Sequence, residues 1–358
     1  MLGGSEKSVL IIPVRGVPPH LAEMWRGIGA QSYRPSRVIF GVESADDPAC
    51  AALRALAGGP PLEIVVAGPT TKRAQKVHNM LAALAALKDS DETVIFADAD
   101  IVPTEHWLAR LTKWRIGDDS VDAVSGYRWL LPTDNRWSTA FIAAINASVA
   151  TTTRIHRLNL AWGGSIVLSR KAIAALQLER YWDHAVLDDL PLTRAVWAHG
   201  GIVRSPRDAL LRSPVSYSWR EGIAFGRRQY LFLRLHMPLH WTIAAATVTV
   251  PVVGWLVALP LAAAGDPGAL SVIGAAIVLN QARAHFRAQV PHKILGAEIP
   301  ARAAQLDRWG TPLVVLFHAV LIWSTLFGRR IVWASRIYRV DGRGQVMSIQ
   351  EPEQIPRR

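Results

Sequence analysis

Cysteine is almost missing from this chain: among 358 residues only Cys50 carries a thiol, which excludes internal disulfides and cysteine-rich zinc sites. The 11 histidines show no H-E-x-x-H or comparable ligand spacing and read as scattered structural or surface residues. Acid is scarce beside base, 28 Asp and Glu against 40 Lys and Arg, which leaves a net charge of +12. Such a balance points to an anionic partner: nucleic acid, an anionic membrane face or a phosphorylated small molecule. Charge alone does not choose among them. The N-terminal stretch "MLGGSEKSVLIIPVRG" contains no long apolar run, only "VLIIPV" before Arg15. That is shorter than a signal-peptide core and far shorter than a span, so the domain that begins there is expected to stay in the cytoplasm. Internal repeats and low-complexity tracts are absent as well.

What is present is a hydrophobic half, unevenly spread. From Val9 to about Leu211, short β-rich runs ("VLIIPV", "RVIFGV", "LEIVVAG", "TVIFAD") alternate with helical stretches ("HLAEMWRGIGAQ", "DPACAALRALA", "KVHNMLAALAALK"). This alternation predicts βαβ units, a mostly parallel sheet and an open α/β architecture. Ligands of such sheets sit outside the carboxyl ends of the strands. The catalytic domain is expected over 1–216.

Beyond it the character changes. Residues 217–240 interleave Trp219, Ile223, Phe225, Tyr230 and Leu231 with Arg220, Arg227, Arg228 and Arg234, a pattern equally suited to the membrane surface and to an amphipathic helix docked on the sheet. Three apolar runs lie within 241–327: Trp241 to Ala264 without a charge, Gly268 to Ala282, and Thr311 to Phe327. The basic loop 283–310 and the basic tail 328–358 both belong on the cytoplasmic side by the positive-inside rule. That predicts two crossings, with the last run re-entrant or interfacial.

The chemistry gathers at strand ends. In "TVIFADADIVP" the strand runs into Asp98 and Asp100, and alternate residues of an extended segment turn toward one point. Two hard oxygen donors there suit Mg²⁺ or Mn²⁺, which complete their shells with water and phosphate. After "RVIFGV" come Glu43, Ser44, Asp46 and Asp47; they are candidates to hold a nucleoside and, equally, to cap the helix that starts at Pro48. "TTKRAQKVHNML" places Lys72, Arg73 and Lys76 at a helix entrance, where cations and free amides suit a diphosphate. "AWGGSIVLSRKAI" sets Gly163 and Gly164 before Ser165, giving a ligand close access to the backbone. In "HAVLDDLPLTRAVWAHGG", Asp188 and Asp189 precede a helix that ends near Gly200; one carboxylate is available to cap it and the other to act as a base.

Taken in order, "PVRGVPPHL", "DDPA", "KVHN", "DAD", "GGSIVLSRKA", "LDD" and the terminal "WASRIYRV" resemble the membrane-anchored family 2 glycosyltransferases of GT-A fold. The resemblance is closest to the ceramide glucosyltransferase group (family 21) and its bacterial relatives. It implies a Rossmann-like GT-A domain, an inverting hexosyl transfer from a nucleotide sugar, and three required aspartates, matched here by Asp47, Asp98 and Asp189. Asp98 would then be the metal and diphosphate residue and Asp189 the catalytic base. Where the family carries Q/R-x-x-R-W this chain reads "GRRQY", with Tyr230 in place of the tryptophan, Gln229 in place of the last arginine, and Arg227 and Arg228 keeping cations near. Asp100 restores a full D-x-D that ceramide-type members often lack, as in polysaccharide synthases of the wider family. The N-terminal anchor of animal members is not matched, so the C-terminal runs are expected to anchor the enzyme.

The reading that results is a membrane enzyme of the bacterial inner leaflet. It moves a hexose, glucose by first preference, from a UDP-sugar to a lipid hydroxyl. Asp98 and Asp100 would hold Mg²⁺ or Mn²⁺, and Asp189, with Asp188 beside it, would carry the catalysis. Glu43, Ser44, Asp47, Lys76, Gly164, Ser165, Arg227, Arg228 and Tyr230 would bind the donor. The basic charge then serves an anionic leaflet, and no nucleic-acid partner is expected. The rivals are a processive polysaccharide synthase and a non-catalytic membrane scaffold.

Overall fold

Every residue of the first strand, β1 (Ser8–Pro13), is buried, as a strand covered on both faces must be. β2 (Arg37–Val42) is also buried throughout, β3 (Leu62–Val66) is half-buried at the sheet edge, and β4 (Thr93–Ala97) is wholly buried. The computed structural model describes residues 7–114, 120–152, 155 and 157–351. Five more strands come next: β5 (Ala123–Ser125), β6 (Tyr127–Pro132), β7 (Ser165–Ser169), β8 (Val203–Arg204) and β9 (Leu210–Val215).

Seven strands form one sheet in the order β3-β2-β1-β4-β7-β5-β8, and β6 pairs with β9 in a separate ladder. β3, β2, β1 and β4 are parallel, β7 runs antiparallel to β4 and β5, and β8 is parallel to β5. The expected α/β class with a mostly parallel sheet is borne out. Leu10, Ile11 and Ile12 are fully buried, and each such side chain contributes about 1.5–3 kcal/mol. The helix Leu21–Gly29 covers this core with Leu21, Met24, Trp25 and Ile28, the three- and four-residue spacing of one helix face.

Contacts divide the chain into two units: 1–128 with 153–213 and 329–358, and 129–152 with 214–328. The first unit holds the sheet's core and, from the far end of the sequence, a further antiparallel sheet of β10 (Arg330–Trp333), β11 (Arg336–Val340) and β12 (Val346–Gln350). From the sequence this segment reads only as a basic tail; the strands are a finding of the structure. β10 and β11 are joined by Ala334 and Ser335, whose φ angles are +49° and +62°. Two-residue hairpins demand positive φ, usually from Asn-Gly, and each L-residue held there costs about 1–2 kcal/mol.

The second unit is helical. Its helix Trp219–His236 begins with a capping box in which Ser218 Oγ accepts from the Glu221 N–H (3.3 Å) and Glu221 Oε2 accepts from the Ser218 N–H (2.8 Å). Its core joins Leu130, Ile142, Tyr230, Trp241, Leu321 and Ile322. Among the described residues one helix, Pro238–Ala263, is long and apolar enough to cross a bilayer, and only 11 % of its most apolar window is buried. The run Gly268–Ala282, expected as a second crossing, continues as the helix Pro267–Val290, whose Arg283 and Arg287 pair with Asp307 at 3.0 and 2.8 Å. These charges interrupt the apolar length a span requires. Thr311–Trp323, 13 residues long, is likewise too short for a full crossing.

Candidate active site

β4 delivers Asp98 to the sheet's carboxyl edge because its preceding residues, Val94 to Ala97, have no side-chain surface left for solvent. The helix Gln75–Ala85 lies beside β1 and β2 and sends in Lys76. The Lys76 ammonium sits 2.7 Å from Asp98 Oδ1 and 2.7 Å from Asp188 Oδ1, so one cation bridges carboxylates from separate parts of the sequence. Desolvation disfavours its charge, but Asp188 and Asp98 overcome this and hold Lys76 firmly protonated. Asp98 is likewise desolvated, yet Lys76 and then Arg128 keep its pKa below the ordinary carboxylate value.

Arg128, at the start of β6, lies 3.7 Å from Asp98 Oδ2 and 4.0 Å from Asp100 Oδ2, and its guanidinium covers the Trp162 ring at 4.9 Å from the centroid. Sequence reasoning missed this residue; the available signal was a lone cation inside the otherwise apolar "YRWLL". Asp100 is the more open partner, its side chain 61 % exposed. Partial desolvation, together with the neighbouring Asp98 charge, raises its pKa against the opposing pull of Arg128.

Asp188 and Asp189 have different surroundings although adjacent. Asp188 is 2 % exposed; one oxygen meets Lys76 and the other, Oδ2, is buried without a hydrogen-bond partner among the described residues. It does not cap the helix Asp189–Ala198. Asp189 accepts from the backbone N–H groups of Gly163 (3.1 Å) and Leu190 (2.7 Å). Its pKa is nevertheless pushed up to about 7, by desolvation first and by the Asp188 charge second.

The glycine pair is required by contact. A Cβ on Gly163 would lie 2.1 Å from Asp188 Oδ2, and one on Gly164 would lie 2.2 Å from the Trp162 ring and 2.8 Å from Asp98 Oδ2. Gly164→Ala is therefore expected to push Asp98 from its seat and to lower stability by about 1–3 kcal/mol, measured by thermal unfolding. An unchanged melting temperature would contradict this packing.

The other expected donor residues divide. Asp47 caps the helix Pro48–Arg54, accepting from the Ala49 N–H (2.8 Å), and it also takes the Gly16 N–H at 2.9 Å, fixing the loop after β1. Glu43 pairs with Arg336 at 2.7 Å. Ser44 is exposed, its hydroxyl accepting from the Asp46 N–H. Ser165, expected to touch the donor, is instead fully buried, its hydroxyl accepting from the Trp107 indole N–H at 2.9 Å; it is packing beneath the glycines. Arg73 pairs with Asp183 at 2.8 Å and Lys72 is exposed. Arg227, Arg228 and Tyr230 lie on the helix Trp219–His236 of the second unit. There Arg227 donates to Ser324 Oγ and O at 2.9 Å, the Arg228 guanidinium lies 5.6 Å from the Phe225 centroid, and Tyr230 hydrogen-bonds His318.

Asp98, Asp188, Asp189, Lys76, Arg128 and the glycine pair thus form one charged cluster at the edge of an α/β sheet. The sequence model of Glycosyl transferase family 21 matches residues 6–346. The chain belongs to glycosyl transferase family 21 and is a glycosyltransferase. A search of curated proteins returned no match. Among solved structures, the mannosyltransferase PcManGT from Pyrobaculum calidifontis, in complex with GDP-Man and Mn²⁺, is similar at 20% identity and a TM-score of 0.46, over 85% of this chain and 87% of that one. Glucosyl-3-phosphoglycerate synthase from Mycobacterium tuberculosis, in complex with Mn²⁺, UDP and phosphoglyceric acid, is similar at 14% identity and a TM-score of 0.40, over 64% and 78%.

Proposed function

We propose that this enzyme transfers a hexose, glucose in the first instance, from a UDP-sugar to the hydroxyl of a membrane lipid with inversion at the anomeric carbon. The observation that carries the reading is the convergence of Asp98 and Asp189: both reach the Trp162–Gly164 turn, and Lys76 ties Asp98 to the residue next to Asp189. Catalytic carboxylates facing separate surfaces would have excluded it.

Among the described residues no group of three His, Cys, Asp or Glu side chains is placed to hold a metal ion. Mg²⁺ and Mn²⁺ need fewer, because one or two carboxylates plus phosphate and water complete their shells. Asp98 and Asp100 fit that demand: both are hard oxygen donors, and Asp100 is open to solvent and feels the Asp98 charge. Such an ion, when bound, neutralises the diphosphate. Lys76 and Arg128 add fixed positive charge where the leaving group develops negative charge, which requires no reorganisation during reaction. Asp189, proton-free above about pH 7, takes the proton of the acceptor hydroxyl as its oxygen attacks the anomeric carbon and the bond to the diphosphate breaks. Asp188 acts through its neighbours: it holds Lys76 and raises Asp189. The apolar helix Pro238–Ala263 supports a lipid acceptor presented at the bilayer.

The test is to incubate membranes carrying the protein with labelled UDP-sugars and to analyse the lipid extract by mass spectrometry. A labelled monohexosyl lipid is expected, lost with a chelator and regained with Mn²⁺. A polymeric product, or no product with any nucleotide sugar, would overturn the reading.

A further inference from the structure

The motif "WASRIYRV" takes no part in the reaction just described. In the structure it forms the β10–β11 hairpin, and Arg336, the residue after the two strained turn positions, is buried to 5 % side-chain exposure. Its Nη2 donates to Glu43 Oε1 (2.7 Å), its Nη1 to Gln75 Oε1 (3.2 Å) and its Nε to Glu351 Oε2 (3.1 Å). Gln75 passes the contact on, donating to Asn79 Oδ1 (2.8 Å), and Asn79 donates to the Gly41 carbonyl of β2 (3.1 Å). Arg15, in the loop after β1, donates to the Ala334 carbonyl at the turn. The same tail pairs with the approach to Asp188: the Val346 N–H donates to the His184 carbonyl (2.7 Å). A guanidinium is costly to desolvate, and its rigid fork is suited to fixing several acceptors at once. A merely basic tail would keep it in water.

We propose that the C-terminal hairpin is part of the donor site, with Arg336 as a positioning residue that holds Glu43 for the nucleoside half of a nucleoside diphosphate sugar, while the fully engaged Gln75 anchors Arg336 from behind. This rests on the reading that the residues after β2 face the nucleoside. Arg336 occupies one oxygen of Glu43 and so sets the direction of the other, which remains able to accept an N–H or O–H. It also cancels a carboxylate charge that would repel the diphosphate. The turn residues Ala334 and Ser335 keep the short connection that presents Arg336.

The experiment is isothermal titration of the full-length protein in detergent with UMP and, separately, with Mn²⁺-pyrophosphate. Arg336→Met is expected to bind UMP about tenfold more weakly and Mn²⁺-pyrophosphate as the wild type does, with Arg336→Lys in between for UMP. Should the Met variant fail to fold, the Lys variant decides by the same comparison. UMP affinity equal to the wild type overturns the proposal. So does an equal loss of both ligands, which would mark a general structural role. A wild-type protein that binds neither ligand overturns the donor-site reading itself.

Discussion

Replacing Asp189 by Asn lowers turnover by about a hundred- to ten-thousandfold, the usual contribution of a general base, while UDP affinity stays near that of the wild type. The expectation follows from position and proton affinity together. Asp189 accepts one backbone N–H on each oxygen, from Gly163 and Leu190, so Asn keeps the size, gives up one of these two bonds and loses the basicity. A base must be proton-free to act. With its pKa pushed up to about 7, wild-type kcat/KM rises with pH and levels off above that value, whereas the residual rate of Asp189→Asn lacks this rise. Initial rates across pH 5 to 9 check both parts, and a variant with wild-type turnover would remove Asp189 from the chemistry. The same shift ties stability to pH. The folded chain binds this proton more tightly than the unfolded chain, so the contribution is fully present below the ordinary carboxylate range and is lost as pH rises through about 7.

Lys76→Met is expected to produce the largest loss of stability of any change at the site, about 3 kcal/mol, toward the lower end for breaking a buried ion pair because Lys76 keeps some exposure. Without the ammonium, the buried Asp188 is left uncompensated beside Asp98, which keeps only the Arg128 guanidinium at 3.7 Å. Adding Asp188→Asn to Lys76→Met should restore part of the loss, a coupling that unrelated sites would not show. Thermal unfolding of the detergent-solubilised variants measures it. A Lys76→Met protein as stable as the wild type, or a double variant whose losses simply add, would dissolve the bridge between the two carboxylates.

Much of this architecture is legible in the sequence because parallel strands buried on both faces are written as unbroken apolar runs. "VLIIPV", "RVIFGV" and "TVIFAD" correspond to β1, β2 and β4, and the acids just past them could be read as facing a ligand. The helix after "LDD" and its end at Gly200 also obey local rules. What local pattern could not supply was the partner of each charge. Ser165 looks like a ligand contact until the Trp107 indole is seen to engage it, and Asp47 caps its helix as expected while also taking the Gly16 amide. Lys76 reads as one of three cations suited to a diphosphate, and only the fold brings Asp98 and Asp188 to either side of it. Arg128 and Arg336 each stand within apolar strands, where a buried cation implies a carboxylate from elsewhere, but periodicity does not name which one. Nor could local pattern show that Asp307, far along the chain, pairs with Arg283 and Arg287 just past the run Gly268–Ala282.

The tail strands Arg330–Val340 and Val346–Gln350 belong to the same unit as β1, which bears on how the enzyme is born. A ribosome delivers the sheet first, then the apolar helix Pro238–Ala263, and only afterwards the arginine that meets Glu43. Since chains fold as their segments emerge, the Arg336–Glu43 pair stays unmade through most of synthesis. It forms only after the hydrophobic helix has left the translating complex.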